Sequence, residues 1–366
     1  MTQRLSQLKN IMQQAGLQAI ALNPSPNLTY LTALSYHLSE RPTILLVPVE
    51  GDPVAILPEF EIGKLGNALF KIAPFSYNDN PATWPDVFKN ACDQFGLNHK
   101  KVGVDPLHLR FLEFNLLKNA APQANFVAAE KEISALRLHK DTNELANMRK
   151  AIEIAQQAFE ATLPFIRPGI SEREIAQEIT IQMIRRGSNI ESEFAAIVAS
   201  GPNSANPHHT PAERKIEQGD AIVIDWGARY NGYYSDLTRT VHVGKPDEEF
   251  KTVYNLVAQA NATGRAVGKP GLPAGDVDKA TRAVIEAGGY GVYFTHRTGH
   301  GLGLEVHEPV YIFAENRRPL ETGITHTVEP GIYLPGKFGV RIEDDVMVTA
   351  NGCETLSSYS RDLIIL

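Results

Sequence analysis

Carboxylates recur in the same setting twice along the C-terminal half of this chain. The first copy reads Glu217-Gln-Gly219, then Asp225-Trp-Gly227, then Gly232. The second reads Glu321-Thr-Gly323, then Glu329-Pro-Gly331, then Gly336. Each residue of the first copy precedes its counterpart by 104 positions, as Asp225 precedes Glu329. A second acid follows each copy, Asp236 and Glu343, and a histidine precedes each, His208 and His307. Two such half-sites facing each other would gather four carboxylates and two imidazoles. Four anions cannot share a dry pocket, because like charges raise one another's pKa steeply. Divalent metal is the simplest counter-charge. An oxygen-rich set with one imidazole suits Mn2+, Fe2+ or Co2+ better than a thiolate-type zinc site does. Two ions bridged by carboxylates would share a hydroxide and polarise a carbonyl, which points to hydrolysis.

Strands and tight turns must hold these acids. Ala221-Ile-Val-Ile-Asp225 reads as a strand ending in an acid, and Asn231-Gly232 is a strong hairpin signal. With 233–243 returning as the partner strand, Asp225 and Asp236 fall on one face as diagonal neighbours. In the second copy, Glu329 and Glu343 are equidistant from Gly336 and are expected opposite each other. His300 lies in Thr298-Gly-His-Gly-Leu-Gly-Leu-Glu-Val-His307. That glycine spacing is not the dinucleotide fingerprint, and no strand-to-helix unit with a downstream acid supports one. Its small residues are expected to let backbone approach a ligand closely. His300 and His307 are seven apart, which does not suit two ligands of one metal on a strand or one helical turn. One is expected as a ligand and the other as a proton donor or anion stabiliser. His208 and His209 sit in the loop Asn206-Pro-His-His-Thr-Pro211, and His326 is expected to be structural or on the surface.

The helical parts repeat too. Arg167-Pro-Gly-Ile170 leads into one helix and Lys269-Pro-Gly-Leu272 into another. A helix is expected over 143–165, and Ser171 with Glu174 forms a capping box for the next. From about 140 to 366 the chain therefore reads as two similar αβ halves about a pseudo-two-fold axis. Residues 1–132 differ. They alternate helix and strand signals, with an apolar run at 19–22 and a hairpin about Glu50-Gly51-Asp52, so an α/β layer is expected. The charged stretch 130–141 reads as the connection, giving an N-terminal domain over 1–132 and a C-terminal domain over 133–366.

With 366 residues, two domains are the prior. A net charge of −7 without a basic block argues against nucleic acid or anionic membrane as partner. The first 16 residues form an amphipathic helix pattern without the apolar core of a secretory signal, and no apolar run is long enough to span a membrane. Two distant cysteines, Cys92 and Cys353, suggest neither a disulfide scaffold nor a metal motif. A cytoplasmic protein is expected.

Five segments together resemble the pita-bread metallopeptidases, in their Xaa-Pro aminopeptidase and Xaa-Pro dipeptidase (prolidase) branch. They are Asp225-Trp-Gly-Ala, Gly232-Tyr-Tyr-Ser-Asp236-Leu-Thr-Arg-Thr240, Gly299-His300-Gly-Leu-Gly-Leu-Glu-Val-His307-Glu308, Val328-Glu329-Pro-Gly331 and Val340-Arg-Ile-Glu-Asp344. The resemblance spans essentially the whole chain. It implies an α/β (α+β) fold, with a creatinase-like N-terminal domain followed by a pita-bread catalytic domain. It also implies a dinuclear centre held by Asp225, Asp236, His300, Glu329 and Glu343, with Asp236 and Glu343 bridging. By the same resemblance Glu329 assists as acid and base, His208 and His307 flank the scissile carbonyl, and Arg341 is a supporting cation. Mn2+ or Co2+ is the expected metal, with Zn2+ or Fe2+ as alternatives. A homodimer and proline-containing peptides are the implied partners.

All five ligand positions are filled, unlike in creatinase, which has this fold without the metal ligands. Methionine aminopeptidases share the site but usually lack such an N-terminal domain. One position departs from the prolidase pattern. Prolidases commonly carry an arginine four residues after the second histidine, where it meets the carboxylate of a dipeptide. Here that position is Tyr311, and Arg317 and Arg318 follow without aligning. The departure favours an aminopeptidase acting on longer Xaa-Pro peptides over the dipeptidase. A hydrolase or lyase of another small substrate, or a non-catalytic binding module, are the remaining readings.

Overall fold

The structure, a computed structural model, describes residues 2–189 and 195–366. The chain divides into two compact units, Met1–Arg137 and Leu138–Leu366.

The first unit is built on a six-stranded mixed sheet. Its spatial order is Ala73–Tyr77, Val54–Pro58, Ile44–Pro48, Ala19–Leu22, Lys101–Val104 and Asn125–Ala128. The strands Ala19–Leu22, Ile44–Pro48 and Val54–Pro58 are apolar on both faces and buried throughout, as strands covered on both sides must be. The expected hairpin forms, with Ile44 opposite Ile56 and Gly51 in the left-handed region at φ +90°. Helices Gln3–Gln14, Trp84–Gln94 and Phe111–Ala120 complete the layers.

The second unit repeats one plan twice. Helices Thr142–Thr162 and Glu172–Arg185 belong to the first half, and Glu248–Val267 and Ala274–Ala287 to the second. Capping boxes open both helices of the first pair, Asp141 with Glu144 and Ser171 with Glu174. The expected helix over 143–165 ends as an α-helix at Thr162 and tightens into a 3-10 turn at Leu163–Phe165, where Pro164 cannot donate a helical hydrogen bond. Against the first pair lies a sheet ordered Ile364–Ile365, Leu237–His242, Ala221–Trp226, Ile197–Ser200. The second sheet is ordered Glu308–Ile312, Gly299–Gly301, Thr325–Val328, Asp344–Thr349, Gly352–Thr355.

The core sits directly behind the acids. Trp226, next to Asp225, is fully buried and stacks on Phe159 with ring centroids 4.4 Å apart. Its indole donates to the Ala155 carbonyl at 2.9 Å, so the ring is both packed and satisfied. The two halves meet where Glu343 bridges to Thr238, with the Glu343 amide donating to the Thr238 carbonyl at 3.1 Å. No helix among the described residues is long and apolar enough to cross a membrane.

Candidate metal centre

Register places the four carboxylates. In the first half Tyr233 pairs with Tyr230 across the Asn231-Gly232 turn, whose two residues both take positive φ (48° and 88°). Thr238 pairs with Asp225 in the same register, which leaves Asp236 one diagonal step from Asp225. In the second half Gly331 pairs with Arg341 and Val328 with Asp344, so Glu329 and Glu343 face each other between those pairs. Both placements follow the expectation from sequence. Behind the second pair stands Asn261, buried on the helix Glu248–Val267. Its Nδ2 donates to the Val328 carbonyl at 2.9 Å and the Ile342 carbonyl at 3.2 Å, clamping the residues just before Glu329 and Glu343.

His300 completes the cluster. Its Nδ1 lies 3.1 Å from the Gly301 carbonyl. As the donor there, Nδ1 carries the proton and leaves Nε2 with a free lone pair, the tautomer of a metal-ligating histidine. Nε2 lies 3.4 Å from Glu329 and 3.6 Å from Asp236. Donor atoms of Asp236, His300 and Glu343 all fall within 4.8 Å of one another. The flanking glycines serve a different purpose from the expected approach to a ligand. A Cβ on Gly299 would stand 2.1 Å from the Thr327 carbonyl oxygen, and one on Gly301 2.4 Å from that of Pro309. The close approach is of neighbouring strands, which is how His300 reaches the acids of the other half.

The electrostatics describe a site built for added positive charge. Asp236 is pushed well above the usual carboxylate range, first by burial and then by Glu343 and Asp225. Glu343 is pushed up in the same way, by burial and then by Glu329 and Asp225. Glu329 rises to about 8, chiefly through burial; Arg341 opposes the rise and Asp225 adds to it. Burial, then His307, holds His300 well below the ordinary imidazole range. Oδ1 of Asp225 and Oδ1 of Asp236 are buried without a partner among the described residues. A buried acceptor left unmade costs on the order of 1–3 kcal/mol, more if charged. A cluster of oxygen donors, one bare imidazole nitrogen and orphaned carboxylate oxygens fits divalent cations.

Metal-free protein should respond to pH accordingly. Between about pH 7 and pH 9 an unfolded chain has long lost its carboxyl protons (near 4) and its histidine protons (near 6.5). Glu329, raised to about 8, loses its proton only within this interval when folded, and Asp236 and Glu343 are shifted in the same direction. The folded state then binds more protons than the unfolded one, and stability falls as pH rises. Below about pH 6.5 the buried histidines oppose this trend, because His296 and His326, both lowered to about 4 by burial, stay neutral when folded. The melting temperature of metal-free protein should fall between about pH 7 and about pH 9, and added Mn2+ should recover more of it at the alkaline end. A melting temperature still rising over that interval would contradict this charge balance.

Around the cluster lie the remaining expected site residues. His307 is exposed, with its ring centroid 4.1 Å from that of His300 and the planes at 69°. Burial, then the Arg297 charge, lowers its pKa. His208 is exposed on its loop, near enough for its charge to depress both His307 and His296. His209 instead pairs with Glu172 at 2.7 Å and braces that loop. His326 is fully buried rather than on the surface, with Nδ1 2.9 Å from the Thr327 carbonyl. Arg341 is buried and fully engaged. Nη2 reaches Asp225 at 2.5 Å, Nη1 donates to Tyr333 Oη at 3.0 Å and the Pro207 carbonyl at 3.2 Å, and Nε donates to Thr238 Oγ1 at 3.1 Å. Tyr311 pairs directly with His300 across the strands.

Several participants escape a reading of the sequence. Thr238 donates to Glu343 at 2.6 Å. Asp345 accepts the Asp236 amide at 3.1 Å. His296 Nε2 lies 2.8 Å from Tyr333 Oη, and its Nδ1 lies 2.7 Å from the Arg297 carbonyl. Arg297 itself stands over the Tyr311 ring, 4.4 Å from its centroid. Its only visible signal in the sequence is a cation three residues before His300.

Comparisons with known proteins agree with this architecture. Residues 146–350 match the model of metallopeptidase family M24, and residues 4–139 match that of the creatinase/prolidase N-terminal domain. A prolidase from Thermococcus sibiricus is 38% identical, superposes with a TM-score of 0.94, and is matched over 100% of this chain and 98% of its own. An Xaa-Pro dipeptidase from Bacillus anthracis is 35% identical with a TM-score of 0.90, over 99% of both chains. An X-Pro aminopeptidase from Thermotoga maritima is 31% identical with a TM-score of 0.86, also over 99% of both.

Proposed function

Because the chain belongs to metallopeptidase family M24, we propose that it is a divalent-metal-dependent Xaa-Pro dipeptidase, a prolidase. The observation that carries this reading is the enclosed set of Asp225, Asp236, Glu329 and Glu343 around the bare Nε2 of His300. The departure at Tyr311, which favours an aminopeptidase when the sequence is read alone, is outweighed. The similar structures named prolidase and Xaa-Pro dipeptidase stand at 38% and 35% identity, against 31% for the X-Pro aminopeptidase. The aminopeptidase remains the second reading. Homodimeric assembly and a cytoplasmic setting belong to the same proposal and rest on the family resemblance.

Asp225, Asp236, His300, Glu329 and Glu343 would hold two divalent ions, with Asp236 and Glu343 shared between them and Mn2+ or Co2+ favoured by the oxygen-rich donors. When bound, such ions supply Lewis-acid polarisation of a carbonyl and acidification of water. The chain's own groups do the rest. Glu329 takes the proton of the attacking water and delivers it to the proline nitrogen as the C–N bond breaks, leaving a free amino acid and proline. His307 and His208 donate to the carbonyl oxygen as it gains negative charge. Arg341 holds Asp225 in place from behind, since every nitrogen of its guanidinium is already engaged.

Hydrolysis of Xaa-Pro against Xaa-Pro-Yaa by metal-reconstituted enzyme tests the proposal. The dipeptide should be favoured by about 10- to 100-fold in kcat/KM, the worth of one charge-assisted pair to its carboxylate. A preference for tripeptides would make the aminopeptidase the better reading.

A further inference from the structure

We propose that Arg297 binds the C-terminal carboxylate of the dipeptide, taking by another route the place left empty by the tyrosine at 311. The inference rests on the dipeptidase reading and adds the residue that enforces it.

A dipeptide places its carboxylate about one residue, or roughly 3.8 Å between Cα atoms, beyond the scissile bond. A cation is therefore needed one strand position from the metal cluster. Tyr311 occupies that position, directly opposite His300. The Arg297 guanidinium lies over the same ring, 4.4 Å from its centroid. Its charge is felt by three residues of the site, lowering His307, His300 and Glu329. Among the described residues no carboxylate pairs with it.

Other cations nearby are committed elsewhere. Arg341 uses its guanidinium on Asp225, Tyr333, Thr238 and the Pro207 carbonyl. Arg282 pairs with Asp278. Arg317 is exposed and lines a separate surface depression with Asp276 and Lys279. Among the described residues, Arg297 is thus left with an aromatic platform and an open fork of donors. A planar guanidinium stacked on a ring keeps its edge free for a bidentate carboxylate. Its backbone is also pinned, because the Arg297 carbonyl accepts from His296 Nδ1, whose Nε2 is held by Tyr333. Tyr311 is then a positioning residue: it holds the cation rather than replacing it.

The test compares Ala-Pro with Ala-Pro amide, which differ only in the terminal charge, on Mn2+-loaded enzyme. Wild type should favour the acid by about 10- to 100-fold in kcat/KM. Arg297→Met should bring the ratio near one by lowering the acid alone, with the amide within about threefold of wild type. Arg297→Lys should fall between, because an ammonium keeps charge without the fork. Adding Tyr311→Arg to Arg297→Met should restore most of the ratio, which a merely structural Arg297 could not allow. Should Arg297→Met fail to fold or to hold metal, the lysine variant decides in its place. Retention of the acid preference in the arginine variants, or an equal loss on both substrates, overturns the assignment while the dipeptidase reading stands. A wild-type enzyme that favours the amide overturns both together.

Discussion

Stripping divalent metal from this protein should abolish Xaa-Pro hydrolysis, and returning Mn2+ or Co2+ should restore it. The expectation follows from charge. Asp236 and Glu343 are raised first by burial and then by the other acids, and Oδ1 of Asp236 has no partner among the described residues. Arg341 offsets Glu329 and Glu343 and Arg297 offsets Glu329, but the Arg341 guanidinium already pairs directly with Asp225. If Asp236 and Glu343 bridge two ions as proposed, Asp236→Ala or Glu343→Ala removes a shared oxygen donor, and elemental analysis should find both ions depleted and not one alone. Activity should fall by several orders of magnitude, because the polarisation of the carbonyl and the activation of water are lost together. Two tightly bound ions per chain in either variant would contradict the bridging placement, and full activity in rigorously metal-free protein would sink the metal-dependent reading.

The two adjacent histidines should separate in a second experiment. His307→Ala should retain metal and lose roughly 100-fold or more in turnover, the magnitude of one oxyanion donor. His300→Ala should lose metal. The rings are only 4.1 Å apart, yet their surroundings differ. His300 is buried, with Nδ1 held by the Gly301 carbonyl and Nε2 aimed at Glu329 and Asp236. His307 is exposed, and among the charges that act on it the cation Arg297 outweighs Asp225. Metal analysis beside single-turnover rates reads the two roles independently. The opposite pattern, with metal lost at position 307 and kept at 300, would exchange them.

The carboxylate geometry was legible in the sequence because it depends on local rules. A two-residue turn at Asn231-Gly232 dictates register, and register dictates which side chains share a face. The same holds about Gly336, which takes φ +75°. The doubled pattern then showed that the acids come as two related pairs. Helix starts were equally local: Ser171 with Glu174 caps the helix Glu172–Arg185 as its spacing indicates. At His326 local pattern left both a structural and a surface place open, since whether a strand residue faces core or solvent depends on what covers that face.

What the sequence determined by itself is the set of chemical groups and the secondary structure that carries them. Turn residues, caps and alternation act over a few positions and need no partner from far along the chain. Tertiary structure alone decided which distant groups meet. Arg341 reaches Asp225 across 116 positions, and Thr238 reaches Glu343 across 105. Arg297 finds Tyr311 because the strand Gly299–Gly301 pairs with Glu308–Ile312 and shifts register between His300 and Gly301. Spacing in the chain cannot reveal such a contact. The pairing is selected by packing of the whole unit, in which glycine at 299 and 301 is the residue small enough for the strands to close.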